Sequence, residues 1–262
     1  MPQLQILTPT YYTRYRQKQR FTLRKHFNRL KQIPVSLESF RFYIASSAIF
    51  SSQIEGVDVD FNSFLRYQNT KGVLGGKDVK QVQDLVAAYE YARTHALNLS
   101  NVLHTHALAS RQLAAKQYRG QYRDQMVSVY NLQTGQRVYE AAPVAVVESE
   151  VNKLFTDIQV LRKRTLTIDE TFYYAALIHL VFAKIHPFGD GNGRLARLLE
   201  KWFLADKLGA NAWFIQSERN YQRKRVSYYR DIDIGPSYAE NNYDYCVDFL
   251  LMLPWALKLK MQ

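Results

Sequence analysis

The sequence predicts an all-α protein that carries one small β-hairpin. Apolar residues recur every three or four positions over most of the chain, which is the spacing of one helix face. Helix-start signals precede several of these stretches, among them the capping box Thr167-Ile168-Asp169-Glu170. The only clearly β-prone stretch, residues 125–140, has turn-forming residues at its centre. We therefore expect a helical bundle with a single hairpin.

Composition favours one compact unit. The chain has 262 residues, of which 47% are hydrophobic, so it can bury a substantial core. We divide it into a basic N-terminal arm (1–35), an N-terminal helical segment (36–77), and the main core with the C-terminal helices (78–262). The single cysteine excludes an internal disulfide, and no apolar run has the length of a signal peptide or a membrane span. We expect a cytoplasmic protein with no membrane partner.

Most helix boundaries can be predicted from caps and breakers. Ser36 is expected to cap the first long helix, Ser100 a later one, and Ser217 and Ser237 two near the C-terminus. The helix after Thr167 is apolar nearly all round, which predicts the buried centre of the bundle. The predicted ranges, with a glycine-rich loop at 71–77, are 36–55, 60–69, 78–97, 100–113, 143–164, 167–185 and 192–208.

Three histidines on these helices are expected to have structural roles. His179 lies on the central helix, where a hydrogen-bonded core histidine is the favoured interpretation. His104 and His106 are two positions apart and point to different sides of their helix, so a shared metal is not expected. We predict packing or surface roles for both.

Positive charge is concentrated in two stretches. Lys and Arg outnumber Asp and Glu by 35 to 23, a formal net charge of +12. Residues 11–31 contain eight basic side chains, no acidic one and several aromatics, and residues 219–225 form a second cluster. A solvated arm or helix face is the favoured interpretation of the first stretch. Nucleic-acid binding is the alternative.

The stretch HPFGDGNGRLAR, residues 186–197, combines residue types that suit phosphate chemistry. It connects two apolar helices, so its glycines can turn backbone N–H groups toward an anion at a helix N-terminus. Arg194 and Arg197 face the same way and suit phosphate oxygens. Asp190 could hold Mg²⁺, and His186 could accept a proton near neutral pH. The combination indicates phosphoryl or nucleotidyl transfer to a hydroxyl group.

These residues resemble a known family. Residues 186–197 match in full the H-x-F-x-[DE]-G-N-G-R-x-x-R signature of Fic domains, helical proteins most of which transfer AMP from ATP to a hydroxyl side chain of a target protein. The surrounding pattern is similar over about residues 80–235, including a hairpin before the central helices. The resemblance implies a Fic-type helical bundle with a small β-hairpin flap.

The resemblance also implies a role for each residue of the motif. His186 would deprotonate the target hydroxyl, and Phe188 would anchor the loop in the core. Asp190 would hold Mg²⁺ on the ATP phosphates, while Arg194 and Arg197 would contact the β- and γ-phosphates. The anion cradle would be formed by Gly191, Asn192 and Gly193.

Two further elements acquire a role from the resemblance. The flap, about residues 126–140, would align a target segment by strand pairing, and self-modification is a reasonable first readout. From the residues alone, a hairpin covered by the body of the protein is the preferred interpretation. The nucleotide pocket could include Asn220, Tyr228 and Tyr229, which follow the loop at a suitable distance.

A second motif lies far from the loop in sequence. Residues 51–56, SSQIEG, fit the [ST]-x-x-x-E-[GN] inhibitory motif of Fic proteins, with Ser51, Glu55 and Gly56 at the specified positions. Their place before the core resembles the self-inhibited class with a built-in inhibitory helix. Glu55 would pair with Arg197 and compete with the γ-phosphate of ATP.

Two alternatives remain at this stage. Some Fic relatives transfer phosphate, UMP or phosphocholine, and some remove AMP; the intact Arg194 and Arg197 favour ATP. The alternative from another class is a non-catalytic nucleic-acid-binding protein, in which residues 11–31 and 219–225 would contact phosphates.

Overall fold

The computed structural model describes residues 3–70, 76–130 and 134–259, and within these ranges the prediction of an all-α fold with one hairpin is confirmed. The predicted loop residues 71–75 and turn residues 131–133 lie outside the described part. The helices are α1 Tyr12–Lys18, α2 Leu23–Leu30, α3 Leu37–Ile54, α4 Phe61–Asn69, α5 Lys77–Thr94, α6 Leu99–Ala109, α7 Val144–Lys163, α8 Ile168–Ile185, α9 Asn192–Leu208, α10 Ser217–Arg223, α11 Arg225–Ile232 and α12 Val247–Trp255. The strands are β1 Ser128–Tyr130 and β2 Arg137–Glu140.

Helix α8 is the buried centre of the bundle, as predicted. Its capping box forms, because Thr167 Oγ1 accepts from the backbone N–H of Glu170 (3.2 Å) and Glu170 Oε2 accepts from that of Thr167 (2.7 Å). Nearly every α8 side chain is buried, and the helix packs against α7, α9 and α12. The close packing of α8 and α9 fixes both ends of the loop between them.

Helix α3 reaches from the surface to this loop. Ser36 caps it as predicted, with its Oγ accepting from the N–H of Ser39 at 3.0 Å. The helix lies against α5 and α10, and hydroxyl groups take part in the contact: Ser46 Oγ donates to Gln216 Oε1 at 2.8 Å. Glu55 is the C-cap, and Gly56 follows with φ of 86°, a left-handed conformation that glycine adopts without strain.

Of the two forms expected for residues 11–31, a solvated arm or a solvated helix face, the structure has the helix face. Helices α1 and α2 lie on the body of the protein and bury Tyr15, Leu23 and Phe27 in the common core, while the basic side chains stay exposed. Further upstream, the carboxylate of Asp157 on α7 accepts from the backbone N–H groups of residues 5–7. The aromatic residues between the arginines are at helical spacing, and they form the buried faces.

Three predicted caps are wrong. Asn98, not Ser100, caps α6 and accepts from the N–H of Asn101 at 2.9 Å. Ser217 is the first residue of α10 rather than its cap. Ser237 starts no helix: it lies beside the hairpin, where Glu140 accepts from the N–H of Tyr238 at 2.9 Å. In that position the Ser237 hydroxyl donates a hydrogen bond to the carboxylate of Glu240. The spacing of these two residues is that of a capping box, which is why a helix was predicted here.

The hairpin is anchored at one end and exposed at the other. Strands β1 and β2 are antiparallel, with Val129 opposite Tyr139. Tyr139 is buried and donates through its hydroxyl to the carbonyl of Lys184 at 2.8 Å, whereas Tyr130 and Val138 are exposed. Among the described residues, no helix combines the length and apolar character needed to cross a bilayer.

Candidate active site

The loop between α8 and α9 is held by side chains on both of its sides. Phe188 is buried, and Asn192 accepts from its N–H (2.9 Å) and donates to its carbonyl (2.8 Å). The guanidinium of Arg123 donates to the carbonyl of His186 at 2.8 Å, and the Arg123 backbone N–H donates to that of Pro187 at 3.0 Å. The loop conformation is therefore fixed before any ligand binds.

His106 is part of this support. Its ring stacks on Phe188 with 3.7 Å between centroids and 7° between planes. The backbone N–H of Gly120 donates to Nδ1 at 2.9 Å, so the proton is on Nε2, which donates to the carbonyl of Asp190 at 3.0 Å. Burial lowers the pKa of His106 to about 4, which keeps the ring neutral. The sequence predicted a packing role for His106 but not its contact with Asp190, because the two residues are 84 positions apart.

His186 ends α8 in a left-handed conformation with φ of 54°. Its Nδ1 lies 3.1 Å from the carbonyl oxygen of Ala183, which can only accept a hydrogen bond. The proton is therefore on Nδ1, and Nε2 carries the lone pair. Burial lowers the pKa of His186 more than the Ala183 carbonyl and the Glu55 carboxylate raise it. A neutral imidazole with an available acceptor nitrogen is the state that a general base needs.

Arg194 presents unsatisfied donors to the loop. Its side chain is 5% exposed, and Nη2 donates to Gln81 Oε1 at 3.0 Å. Within the described residues, its buried Nε and Nη1 have no hydrogen-bond partner. Buried hydrogen-bond donors on a cation are satisfied best by an anion. The first turn of α9 adds backbone N–H groups that have no acceptor within the helix. This end of the loop therefore fits phosphate oxygens.

A magnesium ion would find one carboxylate here. Asp190 is exposed, and its Oδ1 accepts from the N–H of Gly191 at 2.6 Å. No group of three His, Cys, Asp or Glu side chains in the described ranges could hold a metal by itself. Mg²⁺ commonly takes one or two carboxylates and completes its shell with phosphate and water, so a single aspartate beside a phosphate site fits that ion.

Arg197 is fully buried and all of its nitrogens are engaged. Nε donates to Ser51 Oγ at 2.8 Å, Nη2 to Ser51 O at 3.0 Å and to Glu55 Oε1 at 2.6 Å, and Nη1 to the Tyr228 hydroxyl at 3.1 Å. The structure thus brings the two motifs together across 142 positions of sequence.

Glu55 occupies the space above the first turn of α9. A Cβ atom at Gly193 would collide with Glu55 Oε1 and lie 3.3 Å from Arg197 Nη1, so the carboxylate sits against the glycine backbone. Burial raises the pKa of Glu55, but the charge and hydrogen bond of Arg197, with Arg194 and His186 adding to them, lower it overall. An ionised carboxylate therefore lies where Arg197 would meet an anionic ligand.

A hydrogen-bond relay supports Arg197 from the other side. Because the Tyr228 hydroxyl accepts from Arg197, its own proton goes to Nε2 of His179, 3.0 Å away. His179 Nδ1 then donates to Glu200 Oε2 at 2.8 Å, which confirms the predicted hydrogen-bonded core histidine. The other two predicted pocket residues differ: the Tyr229 hydroxyl donates to Ile54 O at 2.9 Å, whereas Asn220 is buried and donates to the carbonyl of Met252 on α12.

Removing the Tyr228 hydroxyl should destabilise the protein. Tyr228→Phe leaves one nitrogen of Arg197 and one of His179 buried without a partner, which costs about 1–3 kcal/mol. We expect the free energy of unfolding, measured in urea, to fall by that amount. Tyr245→Phe is the matched control, because Tyr245 is 68% exposed. Equal stabilities of the two variants would show that the relay contributes nothing.

Comparison with known proteins identifies the fold as similar to that of Fic proteins. Residues 96–204 match the model of the Fic/DOC family, whereas no curated protein matches the chain. A Fic family protein from Desulfovibrio desulfuricans G20 has a TM-score of 0.72 at 21% identity, over 92% of this chain and 74% of that one. A Fic domain containing signaling protein from Bacteroides thetaiotaomicron VPI-5482 gives 0.65 at 19%, over 90% and 92%. Fic-1 from C. elegans gives 0.65 at 17%, over 95% and 70%. The predicted Fic-type bundle is thereby confirmed.

Proposed function

We propose that this chain, whose residues 96–204 match the Fic/DOC family model, is a protein adenylyltransferase, which transfers AMP from ATP to a hydroxyl side chain of a target protein. The observation that supports this most is the buried Arg194 in the first turn of α9, close after His186 in the chain, whose Nε and Nη1 have no hydrogen-bond partner among the described residues. A nucleotide triphosphate would supply the missing acceptors, and a neutral histidine would meet the incoming hydroxyl.

The chemistry follows from these groups. Nε2 of His186 would take the proton of the target hydroxyl as its oxygen bonds to the α-phosphorus of ATP. The bond from that phosphorus to the α,β-bridging oxygen would break, and pyrophosphate would leave with the bonding electrons. Arg194 and Arg197 would offset the charge on the β- and γ-phosphates, with Gly191, Asn192 and Gly193 around them. Mg²⁺, held by Asp190, would supply further charge neutralisation.

We propose that Glu55 restrains this reaction. Arg197 directs Nη2 at Glu55, and the carboxylate lies against Gly193. One guanidinium nitrogen cannot satisfy this carboxylate and a γ-phosphate together, and two anions at this point would repel each other. In the wild-type protein ATP would therefore bind weakly or in an unproductive position.

We also propose that the flap, residues 126–140, presents the target segment. The exposed Tyr130 and Val138, on a hairpin whose base is tied to Lys184 next to the loop, support this. An extended target segment could pair with a strand edge there and bring its hydroxyl group toward His186.

The pH dependence of the reaction rate should show the protonation state of His186, the proposed general base. Burial holds the pKa of His186 below its ordinary value of 6.5, so the neutral, proton-accepting form already dominates at pH 7. We expect the rate of the Glu55→Gly variant to be flat from pH 7 to 8 and to fall as the pH drops through the lowered pKa. A rate that still rises steeply above pH 7 would contradict a neutral His186. Initial rates of label incorporation between pH 5 and 8 measure this.

Position-specific labelling separates the proposed reaction from phosphate transfer. Incubation of the Glu55→Gly protein with ATP labelled at the α-phosphate should label a target or the protein itself, whereas ATP labelled at the γ-phosphate should not. Incorporation from the γ-position alone would identify a kinase-type reaction and overturn the proposal.

A further inference from the structure

The two basic stretches of the sequence, which the proposed reaction does not use, meet in space. A cleft of about 570 Å³ is lined by the end of α1 with Arg20, by helix α11 with the preceding Lys224, and by helix α12. Lys18 and Arg20 line one side, Lys224 and Arg230 the other, although some 200 residues separate the two pairs in sequence. None of the residues that line the cleft belongs to the loop at 186–197, so the cleft is distinct from the loop site.

Two of these four cations have no acidic partner among the described residues. Lys18 pairs with Asp248 at 2.9 Å and Arg230 with Asp231 at 2.7 Å. Among the described residues, Arg20 and Lys224 form no ion pair, and neither does the neighbouring Lys258. The cleft therefore keeps an uncompensated positive charge that an anion can use.

Three apolar residues also line the cleft. They are Leu251, Met252 and Trp255, which we call its floor. Phe21 meets Trp255 with 5.3 Å between ring centroids, and the ammonium groups of Lys224 and Lys258 lie 5.2 and 4.7 Å from the Trp255 ring. A positively charged rim around an aromatic floor is the arrangement in which phosphates bind at the edge and bases stack inside.

We propose that this cleft binds single-stranded nucleic acid. Phosphates would contact Arg20 and draw Lys224 away from its position over the Trp255 ring, and a base would take the place of Lys224 on that ring. The carboxylates of Asp231 and Asp248 at the rim can accept hydrogen bonds from the amino groups of bases. An acidic peptide would use the cations, but its carboxylate side chains offer neither such donors nor a ring for the floor.

Fluorescence anisotropy with a labelled 12-nucleotide single-stranded RNA tests the proposal without any catalytic turnover, so its outcome is independent of AMP transfer. We expect binding that weakens with salt, because each phosphate contact adds about −0.7 to the slope of log affinity against log salt. Arg20→Glu with Lys224→Glu should weaken binding at least about tenfold. Trp255→Leu, which keeps the floor apolar, should weaken it roughly tenfold through lost stacking.

The control carries the same change of net charge elsewhere. Lys116→Glu with Lys163→Glu alters exposed residues outside the cleft and should leave affinity within about twofold. Equal weakening by both double variants would reduce the effect to overall charge and overturn the proposal. So would the absence of RNA binding, or a glutamate-rich 12-residue peptide that competes as well as unlabelled RNA. Thermal unfolding of each variant shows that it is folded.

Discussion

Glu55→Gly is expected to raise the rate of AMP transfer roughly 10- to 100-fold. The Glu55 contact is a charge-assisted hydrogen bond of 2.6 Å to a buried guanidinium, and such bonds contribute about 1.5–3 kcal/mol, with 1.4 kcal/mol per tenfold change. Without the carboxylate, Arg197 and the turn at Gly193 become available to the γ-phosphate. Initial rates with ATP labelled at the α-phosphate measure the change.

The matched control is Glu38→Gly, which places the same substitution in the exposed first turn of the same helix. It should leave the rate unchanged, although glycine in a helix costs about 1 kcal/mol of stability. ATP should also stabilise Glu55→Gly against heat more than it stabilises the wild type, because the Glu55 carboxylate no longer competes with ATP for Arg197. Equal rates for Glu55→Gly and Glu38→Gly would contradict restraint by Glu55.

His186→Ala, in the Glu55→Gly background, is expected to lower the rate by about 10²- to 10⁴-fold, which is the usual contribution of a general base. The substitution removes the acceptor nitrogen but leaves the carbonyl that Arg123 binds, so the loop should keep its shape. ATP binding, measured by the shift in unfolding temperature, should therefore persist. That combination distinguishes loss of a base from loss of the site.

His104→Ala serves as the control for this variant. His104 is exposed, and its ring contacts only that of Tyr91 among the described aromatic pairs, with 4.4 Å between centroids. Its removal should change the rate by less than about twofold. If His186→Ala retained the rate of its parent, proton transfer to His186 would have no place in the reaction.

Several local features could be predicted from adjacent residues, although the caps at Ser100 and Ser217 were each misplaced by one or two positions. The capping box at Thr167, the helix that ends before Gly209 and the tight loop between α8 and α9 are each specified by a few adjacent residues. The proximity of Glu55 and Arg197 is different. No spacing rule relates residues 142 positions apart, and only the resemblance to a known family indicated the pair.

Local patterns are insufficient where tertiary contacts decide. Ser237 and Glu240 have the spacing of a capping box and do bond each other, but pairing with Glu140 holds that backbone beside the hairpin. His106 supports the loop through a stack on Phe188, a contact that no local pattern indicates. Distance along the chain, on which the pocket prediction for Asn220 rests, could not indicate that its amide donates to the carbonyl of Met252 on α12.

The hydrogen bonds that hold the C-terminal end of α3 determine which motion could move Glu55 away from Arg197. Tyr229 holds the carbonyl of Ile54, Gln53 donates to that of Val59 at 2.9 Å, and Arg197 holds Ser51 through its hydroxyl and its carbonyl. With the backbone tied at these points, the Glu55 side chain, 32% exposed, can leave by rotating about its own bonds. Such rotations take picoseconds to nanoseconds, so the wild-type enzyme would work at a low, constant pace from the moment of mixing, with no lag.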